Sequence, residues 1–216
     1  MSDKIIKAIQ QDDFNSLNQI ISQSNFNPNM TVSLPSRDKL PSAFRTSFTL
    51  LQVAAFYGAQ NCFNILMQRG CPKNPRSGPN LASCAAAGGN INIVNAVAQF
   101  ENDFNEAGFI AIAFNRNPVF MAMASYKIPD LKMLDKEGKS YLHVAAQYDN
   151  VEAIYYFMSV GLDINLQDKN GNTPLHLAVT EEKINSTCAL LNYPACNVNY
   201  LNRNQGSALH ICIEKG

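Results

Sequence analysis

Histidine is the residue of this chain best suited to acid–base catalysis or metal binding, and its three copies are evenly spaced. His143, His176 and His210 lie 33 and 34 residues apart. Each follows a similar stretch of sequence, in the segments DKEGKSYLHVAA, DKNGNTPLHLAV and NRNQGSALHICI. A fixed period of this length indicates supersecondary units that stack on one another. Because a repeated position carries a repeated structural task, we expect these histidines to belong to the scaffold.

Neither a shared metal site nor a catalytic cysteine–histidine pair fits this spacing. Packed helices lie roughly 8 to 10 Å apart, so equivalent histidines of adjacent units are too distant to share one tetrahedral zinc ion. Cys212 and His210 are two residues apart on a short helix, where side chains diverge. The six cysteines form no CxxC pair, and we expect buried or incidental thiols. No Ser–His–acid set, phosphate loop or pair of carboxylates appears. We therefore predict no catalytic residue, metal, cofactor or enzymatic activity.

The elements that position these residues can be followed through one unit. Asn170-Gly171 predicts a tight turn, because glycine tolerates a positive φ. Thr173 suits a helix N-cap and Pro174 the first helical position. Gly161 marks the end of the preceding helix. A single unit cannot bury its helices alone, but a stack forms a continuous core. The apolar positions recur at helical spacing, at Leu175, Ala178 and Val179, with a second helix at Leu190 and Leu191.

This unit resembles the ankyrin repeat. TPLHLA at residues 173–178 matches the signature of that family almost letter for letter, and 161–178 forms a near-complete repeat junction. Earlier copies are LQVAAFYG at 51–58 and AAAGGN at 85–90, with a degenerate copy around Ala113. The resemblance implies an all-α ankyrin-repeat solenoid of stacked helix-turn-helix units with short β-hairpin loops. It also implies that the signature histidine, or Gln52 in the first copy, bridges turns by hydrogen bonds.

We predict a single ankyrin-repeat domain over residues 1–216. Residues 24–43 are an insertion relative to the repeat period, and they form either a binding loop or a tolerated surface loop. Only 27 residues separate Ala86 from Ala113, which predicts a shortened or lost hairpin and altered curvature near residues 100–130. The last helix pair is incomplete, so we expect a fragment of a longer chain. The predicted parts are a capping helix pair (1–23), an insertion (24–43), divergent repeats (44–71, 75–102 and 103–130), good repeats (135–167 and 168–201) and a truncated repeat (202–216).

Composition and charge exclude some classes of binding partner. The formal net charge is zero, charged residues make up 16% of the chain, and Lys and Arg are dispersed, so no nucleic-acid surface is expected. No apolar run reaches the roughly 18 residues of a membrane span. The opening residues, MSDKIIKAIQQDD, do not form a secretion signal. We expect an intracellular protein, in the cytoplasm or the nucleus.

The resemblance implies a non-catalytic scaffold that binds a protein partner on its concave face. An alternative is a regulatory or targeting arm of a larger enzyme or channel, whose effector domain lies beyond residue 216. Phe56 or Phe114 could instead pack against a neighbouring insertion. By matching to the family, the residues after the paired alanines are Phe56 and Tyr57, Phe114 and Asn115, Gln147 and Tyr148, and Thr180 and Glu181, and the hairpin tips contribute Lys136, Lys139, Lys169 and Asn172.

Overall fold

The structure is a computed structural model that describes residues 2–24, 26–34, 44–74, 78–101, 104–126 and 130–215, apart from the side chains of 125 and 126. Over these residues the regular secondary structure is helical apart from one two-stranded sheet of β1 (Thr31–Ser33) and β2 (Ser47–Thr49). The helices are α1 (Ser2–Gln10), α2 (Phe14–Ile21), α3 (Leu50–Phe56), α4 (Gln60–Gln68), α5 (Leu81–Gly88), α6 (Ile91–Ala98), α7 (Asn105–Ala113), α8 (Asn117–Tyr126), α9 (Tyr141–Gln147), α10 (Val151–Ser159), α11 (Pro174–Thr180), α12 (Ile184–Leu191) and α13 (Ala208–Lys215).

The first twelve helices form six successive pairs, each joined by a short turn. One residue in every turn has a left-handed backbone, with φ between 50° and 79°. This residue marks the same point of each repeat and so fixes the register between repeats. We call the two members of a pair the first and the second helix. The six left-handed residues are Asp12, Gly58, Gly89, Asn115, Asp149 and Glu182.

First helices pack on first helices, and second helices pack on second helices. The contacts join α3 to α5, α9 to α11 and α11 to α13 among the first helices. They join α2 to α4, α4 to α6 and α10 to α12 among the second helices. This arrangement is the stack of helix-turn-helix units that the 33-residue period predicts.

The first helices begin where the sequence places an N-cap. Thr49 and Ser140 accept a hydrogen bond from the backbone N–H of the third helical residue, and the side chain of that residue accepts one from the N-cap backbone N–H. Such capping boxes satisfy helix N–H groups that would otherwise have no partner. Thr173 is the N-cap of α11 and Pro174 is its first residue, as predicted. Gly161, with φ of 82°, follows the end of α10.

The chain divides into two compact units, Met1–Ala107 and Gly108–Gly216, with the boundary inside α7. In the first unit, Phe48 is fully buried and its ring centroid lies 6.0 Å from that of Phe44. In the second unit, Tyr141 stacks on Phe109 at 4.1 Å and on Phe157 at 5.7 Å. Each unit therefore has an aromatic centre of its own. The predicted single domain, its repeat boundaries and the change of curvature remain predictions.

The described part of the predicted insertion contributes to the core of the first unit. β1 pairs antiparallel with β2, with Val32 opposite Phe48. Val32 and Leu34 are buried, whereas Ser33 between them is exposed, as the two-residue period of a strand requires. The rest of the insertion, including Pro35 and Pro41, lies outside the described residues.

The predicted shortening before the degenerate repeat is confirmed. Residues 99–104 alone separate α6 from α7, whereas 160–173 separate α10 from α11. Among the residues that the structure describes, no helix is both long enough and apolar enough to cross a membrane.

Candidate protein-binding surface

The buried histidines connect each first helix to the turn of the following repeat. His143 Nδ1 accepts a hydrogen bond from the Ser140 backbone N–H (3.1 Å), which leaves the proton of the neutral ring on Nε2. Nε2 then donates to the Asn172 carbonyl at 3.0 Å. His176 repeats the arrangement, with Thr173 N–H at 3.2 Å and the Gly206 carbonyl at 3.1 Å. The histidines are structural, as predicted.

Gln52 makes the same bridge in the first unit. Its Oε1 accepts from the Thr49 N–H at 3.0 Å, and its Nε2 donates to the Pro79 carbonyl at 2.7 Å. Pro79 immediately precedes the N-cap of α5, just as Asn172 immediately precedes the N-cap of α11. An amide and an imidazole thus satisfy one geometric requirement, because each offers one acceptor and one donor on opposite sides.

Burial lowers the pKa of His143 and His176, and this effect exceeds the opposing hydrogen bonds to the Asn172 and Gly206 carbonyls. The neutral ring also suits the geometry, because Nδ1 accepts a hydrogen bond from a backbone N–H. A proton on Nδ1 would point at that N–H and prevent the bond. Neither histidine is therefore suited to carry a charge in a binding site.

The cysteines are free thiols in different environments. Cys62, Cys71 and Cys84 are buried, whereas Cys188 and Cys212 are exposed. Burial raises the pKa of Cys62 to about 12, with a hydrogen bond and charge from Asp12 acting in the same direction. Burial also raises the pKa of Cys71 and Cys84. Within the described ranges, no three His, Cys, Asp or Glu side chains are grouped so that they could hold a metal ion.

The hairpin tips of the second unit are joined to one another through their backbones. The Lys169 N–H donates to the Glu137 carbonyl and the Arg203 N–H to the Asn170 carbonyl, both at 2.9 Å. Lys169 Nζ also donates to the Lys136 carbonyl at 2.8 Å. The tips therefore form a continuous edge that carries basic residues at equivalent positions.

A side-chain network connects this edge to the ends of the first helices. Lys139 Nζ lies 2.7 Å from Glu137 Oε2 and donates to Gln147 Oε1 at 3.1 Å. Gln147 Nε2 in turn donates to Glu181 Oε1 at 3.4 Å. The structure thus brings together several of the residues predicted from separate repeats. Tyr148 and Thr180 are their immediate neighbours in sequence.

Asn172 has a structural position inside the turn. Its N–H donates to Asp168 Oδ1 at 2.8 Å, its carbonyl accepts from His143, and its Oδ1 accepts from Asn202 Nδ2 at 3.1 Å. These bonds occupy the groups with which Asn172 would contact a partner.

Phe56 and Tyr57 lie in the first unit and are partly engaged there. The Phe56 ring centroid is 5.5 Å from that of Phe44 and 6.3 Å from that of Phe48. Phe44 and Phe48 both follow the predicted insertion (24–43), so the alternative that Phe56 packs against an insertion stays a prediction. The Tyr57 hydroxyl accepts a hydrogen bond from Gln10 Nε2 at 2.9 Å.

The predicted register of the degenerate repeat is wrong by one residue. The Arg116 N–H donates to the Ala111 carbonyl at 2.7 Å, just as the Asn150 N–H donates to the Ala145 carbonyl at 2.9 Å. Asn115 therefore corresponds to the left-handed residue Asp149 and not to Tyr148. The two positions after the pair are Ala113 and Phe114, because Ile112 stands where the second alanine is expected.

Arg203 was missed as a candidate although the signal for it was present. It follows Asn202 as Lys169 follows Asp168 and Lys136 follows Asp135, with spacings of 34 and 33 residues. A comparison of all three turns would have placed a third basic residue on the hairpin edge.

The stacked helix pairs define this molecule as a helical repeat protein. Its structure is similar to the crystal structure of the human ASB11 ankyrin repeat domain, with a TM-score of 0.68 over 96% of this chain and 90% of that one. At 19% identity this likeness shows the fold alone. Residues 142–216 match the family model described as ankyrin repeats (3 copies). Ankyrin repeats are thus identified in residues 142–216 by the family model, and the ankyrin-repeat fold is shown over 96% of the chain by the structural likeness. These findings confirm the resemblance and the fold class drawn from the sequence.

Several relatives match shorter stretches of the chain. A probable serine/threonine-protein kinase of Dictyostelium discoideum is 42% identical over 64 residues, covering 30% of this chain and 8% of that protein. The Neurogenic locus Notch protein of Drosophila melanogaster is 38% identical over 66 residues, covering 31% and 2%. The Inhibitor of Apoptosis OPG037 of variola virus is 28% identical over 127 residues, covering 56% and 28%. The chain therefore spans less than a third of each of these relatives. Ankyrin repeats are in general protein-interaction modules, and their fold is typically non-catalytic.

Proposed function

We propose that this chain is a non-catalytic scaffold that binds a protein partner through a surface of its second unit, which we call the hairpin face. This surface corresponds to the concave face of the family. The observation that carries the proposal is the network from Lys139 through Gln147 to Glu181, which joins a hairpin tip to the ends of two first helices. The hairpin face consists of Lys136, Lys139, Gln147, Tyr148, Lys169, Thr180 and Glu181.

The chemistry of the hairpin face suits a polar, specific interface. Tyr148 is partly exposed and offers an aromatic body with a polar tip, the kind of residue that dominates binding energy at interfaces. The exposed charges of Lys169 and Glu181 have opposite signs, which favours orientation of the partner over bulk affinity. Tyr57 and Phe114 remain weaker candidates outside this surface.

The test is partner binding by a hairpin-face variant. Tyr148→Ala combined with Lys169→Glu should lower the affinity for a purified partner by at least about tenfold, because it removes an aromatic anchor and reverses a charge. Candidate partners come from quantitative affinity purification from the source cell, and calorimetry gives the affinity. Tyr155→Ala is the matched control, because Tyr155 is 52% exposed on α10, away from the hairpin face.

Circular dichroism and the melting temperature establish that each variant is folded. Unchanged affinity in the double variant, or an equal loss with Tyr155→Ala, would contradict the hairpin face as the binding surface. Binding confined to other residues would move the site to Tyr57, to Phe114 or to the insertion.

The proposal places the protein in a reducing compartment, the cytoplasm or the nucleus. It assigns the protein no metal, nucleic-acid or membrane partner. The six free cysteines support the reducing compartment, because the thiols of secreted proteins tend to be oxidised to disulfides. Fluorescence microscopy of the tagged protein tests the location. Accumulation in the secretory pathway would contradict it.

A second proposal is that the chain is a regulatory or targeting arm of a larger enzyme or channel. The observation that favours it is the match of 64 residues to a probable serine/threonine-protein kinase, of which they form 8%. Sequencing the full transcript tests this idea. An open reading frame that carries kinase, ligase or membrane-span signatures would support it, and one that carries repeats alone would count against it.

A further inference from the structure

A cavity of about 150 Å³ lies between the second helices α8 and α10, outside the hairpin face. A molecule of liquid water occupies about 30 Å³, so the cavity has the volume of about five water molecules, which is enough for the outer part of one long side chain. Met121, at its mouth, is 47% exposed. The apolar and aromatic residues that line the cavity are Ile112, Phe120, Met121, Ala153 and Tyr156.

The cavity is also lined by a carboxylate, that of Glu152, which a hydrogen bond holds in place. Glu152 lines the same cavity, and its Oε2 accepts a hydrogen bond from Asn117 Nδ2 at 2.8 Å. Asn117 is held in turn by Asn150, whose Nδ2 donates to Asn117 Oδ1 at 2.7 Å and to the Ile112 carbonyl at 3.0 Å. Asn150 is buried, so the amide pair is fixed by the core of the unit. The other oxygen of Glu152, Oε1, has no hydrogen-bond partner among the described residues.

We propose that this cavity binds an arginine or lysine side chain of a partner protein. The aliphatic stem would lie along the apolar walls, as such stems do on other apolar surfaces. The charged end would meet Glu152 Oε1 and the half-exposed ring of Tyr156, because aromatic faces attract cations. The negative charge of Glu152 disfavours an acidic side chain at the same place.

The position of Glu152 in the first turn of α10 also stabilises that helix, because acids favour helix N-termini. Asn150 has a structural role at the same helix end, because its Oδ1 accepts the Ala153 N–H at 3.1 Å as the N-cap of α10. Neither role requires the apolar and aromatic cavity beside Glu152, and binding of a basic side chain accounts for that cavity together with the carboxylate. The site is separate from the hairpin face, so one partner or two could occupy the surfaces.

The test uses N-acetyl-arginine amide and N-acetyl-lysine amide as probes, titrated into the isotope-labelled chain and followed by nuclear magnetic resonance. Both should shift the signals of Ala153, Tyr156 and the Asn117 side-chain amide in a saturable manner. N-acetyl-citrulline amide, an uncharged analogue of nearly the same shape as the arginine probe, should bind about tenfold more weakly, because it lacks the charge-assisted bond to Glu152.

Glu152→Gln retains an oxygen to accept the Asn117 bond and should weaken binding of both basic probes by about tenfold. Glu214→Gln, at an exposed residue of α13, is the matched control and should leave binding unchanged. Equal shifts from the citrulline probe would show a merely apolar pocket and overturn the proposal. Absence of saturable shifts at these residues, or a Glu152→Gln variant that binds like the wild type, would overturn it as well.

Discussion

At the scale of single residues, the buried histidines are the points where neighbouring repeats are joined. His176→Ala removes the bond to the Gly206 carbonyl and leaves buried polar groups without partners. We expect it to lower the free energy of unfolding by about 1 to 3 kcal/mol. His176→Gln should lose less, because Gln52 makes the equivalent bridge in the first unit. Urea denaturation measures both variants. An unchanged midpoint for alanine, or equal losses for the two variants, would contradict the structural role of His176.

The same histidines make stability depend on pH. Burial holds the pKa of His143 and His176 below the unfolded value of about 6.5, so the unfolded chain binds more protons as the pH falls below that value. The contribution of the two neutral histidines to the free energy of unfolding is therefore complete above about pH 6.5 and is lost progressively below it. The unfolding free energy should fall more between about pH 7.5 and pH 5.5 in the wild type than in a His143→Gln, His176→Gln double variant. Parallel curves for the two proteins would show that other groups control this range.

Tyr141 carries a polar group that the described core does not satisfy. Its hydroxyl is buried without a hydrogen-bond partner among the described residues, and burial raises its pKa. Gly108 makes room for the hydroxyl, because an added Cβ there would lie 2.8 Å from the oxygen. Tyr141→Phe should raise the unfolding free energy by about 1 kcal/mol, since it removes the unsatisfied group and keeps the ring. Tyr156→Phe, at a half-exposed ring, serves as the control. A destabilised Tyr141→Phe would reveal a partner for the hydroxyl.

At the scale of elements, Asp149 connects one helix pair to the next. Its Oδ1 accepts hydrogen bonds from the Ser186 N–H and Oγ, both at 2.9 Å, and its Oδ2 accepts from Asn185 Nδ2 at 3.0 Å. Asp12 makes the same kind of contact with Asn61 and Cys62 near the start of α4. The left-handed turn residue therefore caps the second helix of the following repeat.

Asp149→Gly removes this cap without straining the backbone, and we expect a loss of about 1 to 2 kcal/mol in unfolding free energy. Asp149→Ala should lose more, because alanine adds the strain of a φ of 59°. Asp149→Asn retains an acceptor and tolerates that φ, so it should lose least. Thermal unfolding of the three variants gives the order, and a different order would contradict this division between capping and strain.

The elements that could be predicted from the sequence are those with local signals. The cap at Thr173, the proline at Pro174 and the helix end at Gly161 depend on residues a few positions apart, and the structure places them as expected. β1 was missed because its alternation covers only three residues, TVS, inside a proline-containing segment. The register near Ala113 was misplaced because Ile112 replaces one alanine of the pair. The network from Lys139 to Glu181 depends on side chains that meet across repeats, which local patterns do not specify.

At the scale of the whole molecule, the candidate binding surfaces and the family-model match are distributed unevenly between the two units. The family-model match, the hairpin face and the cavity beside Glu152 all belong to the second unit. The first unit contains the sheet and the cluster of Phe44, Phe48 and Phe56. The candidate binding surfaces therefore lie on the second unit but extend beyond the family-model match, because the cavity includes Ile112 and Phe120 of the degenerate repeat.

The distribution of the thiols makes their reactivity a probe of unfolding of the first unit. The buried cysteines, Cys62, Cys71 and Cys84, all fall in the first unit, and the exposed Cys188 and Cys212 fall in the second. Alkylation depends on the thiolate and on access, so the exposed pair should be modified rapidly and the buried trio only when the first unit unfolds. Mass spectrometry of adducts against time should give two well-separated kinetic phases for these five thiols, apart from Cys196, whose exposure is intermediate. In mild denaturant the slow phase alone should accelerate steeply, and its rate would time the opening of the first unit without any added label.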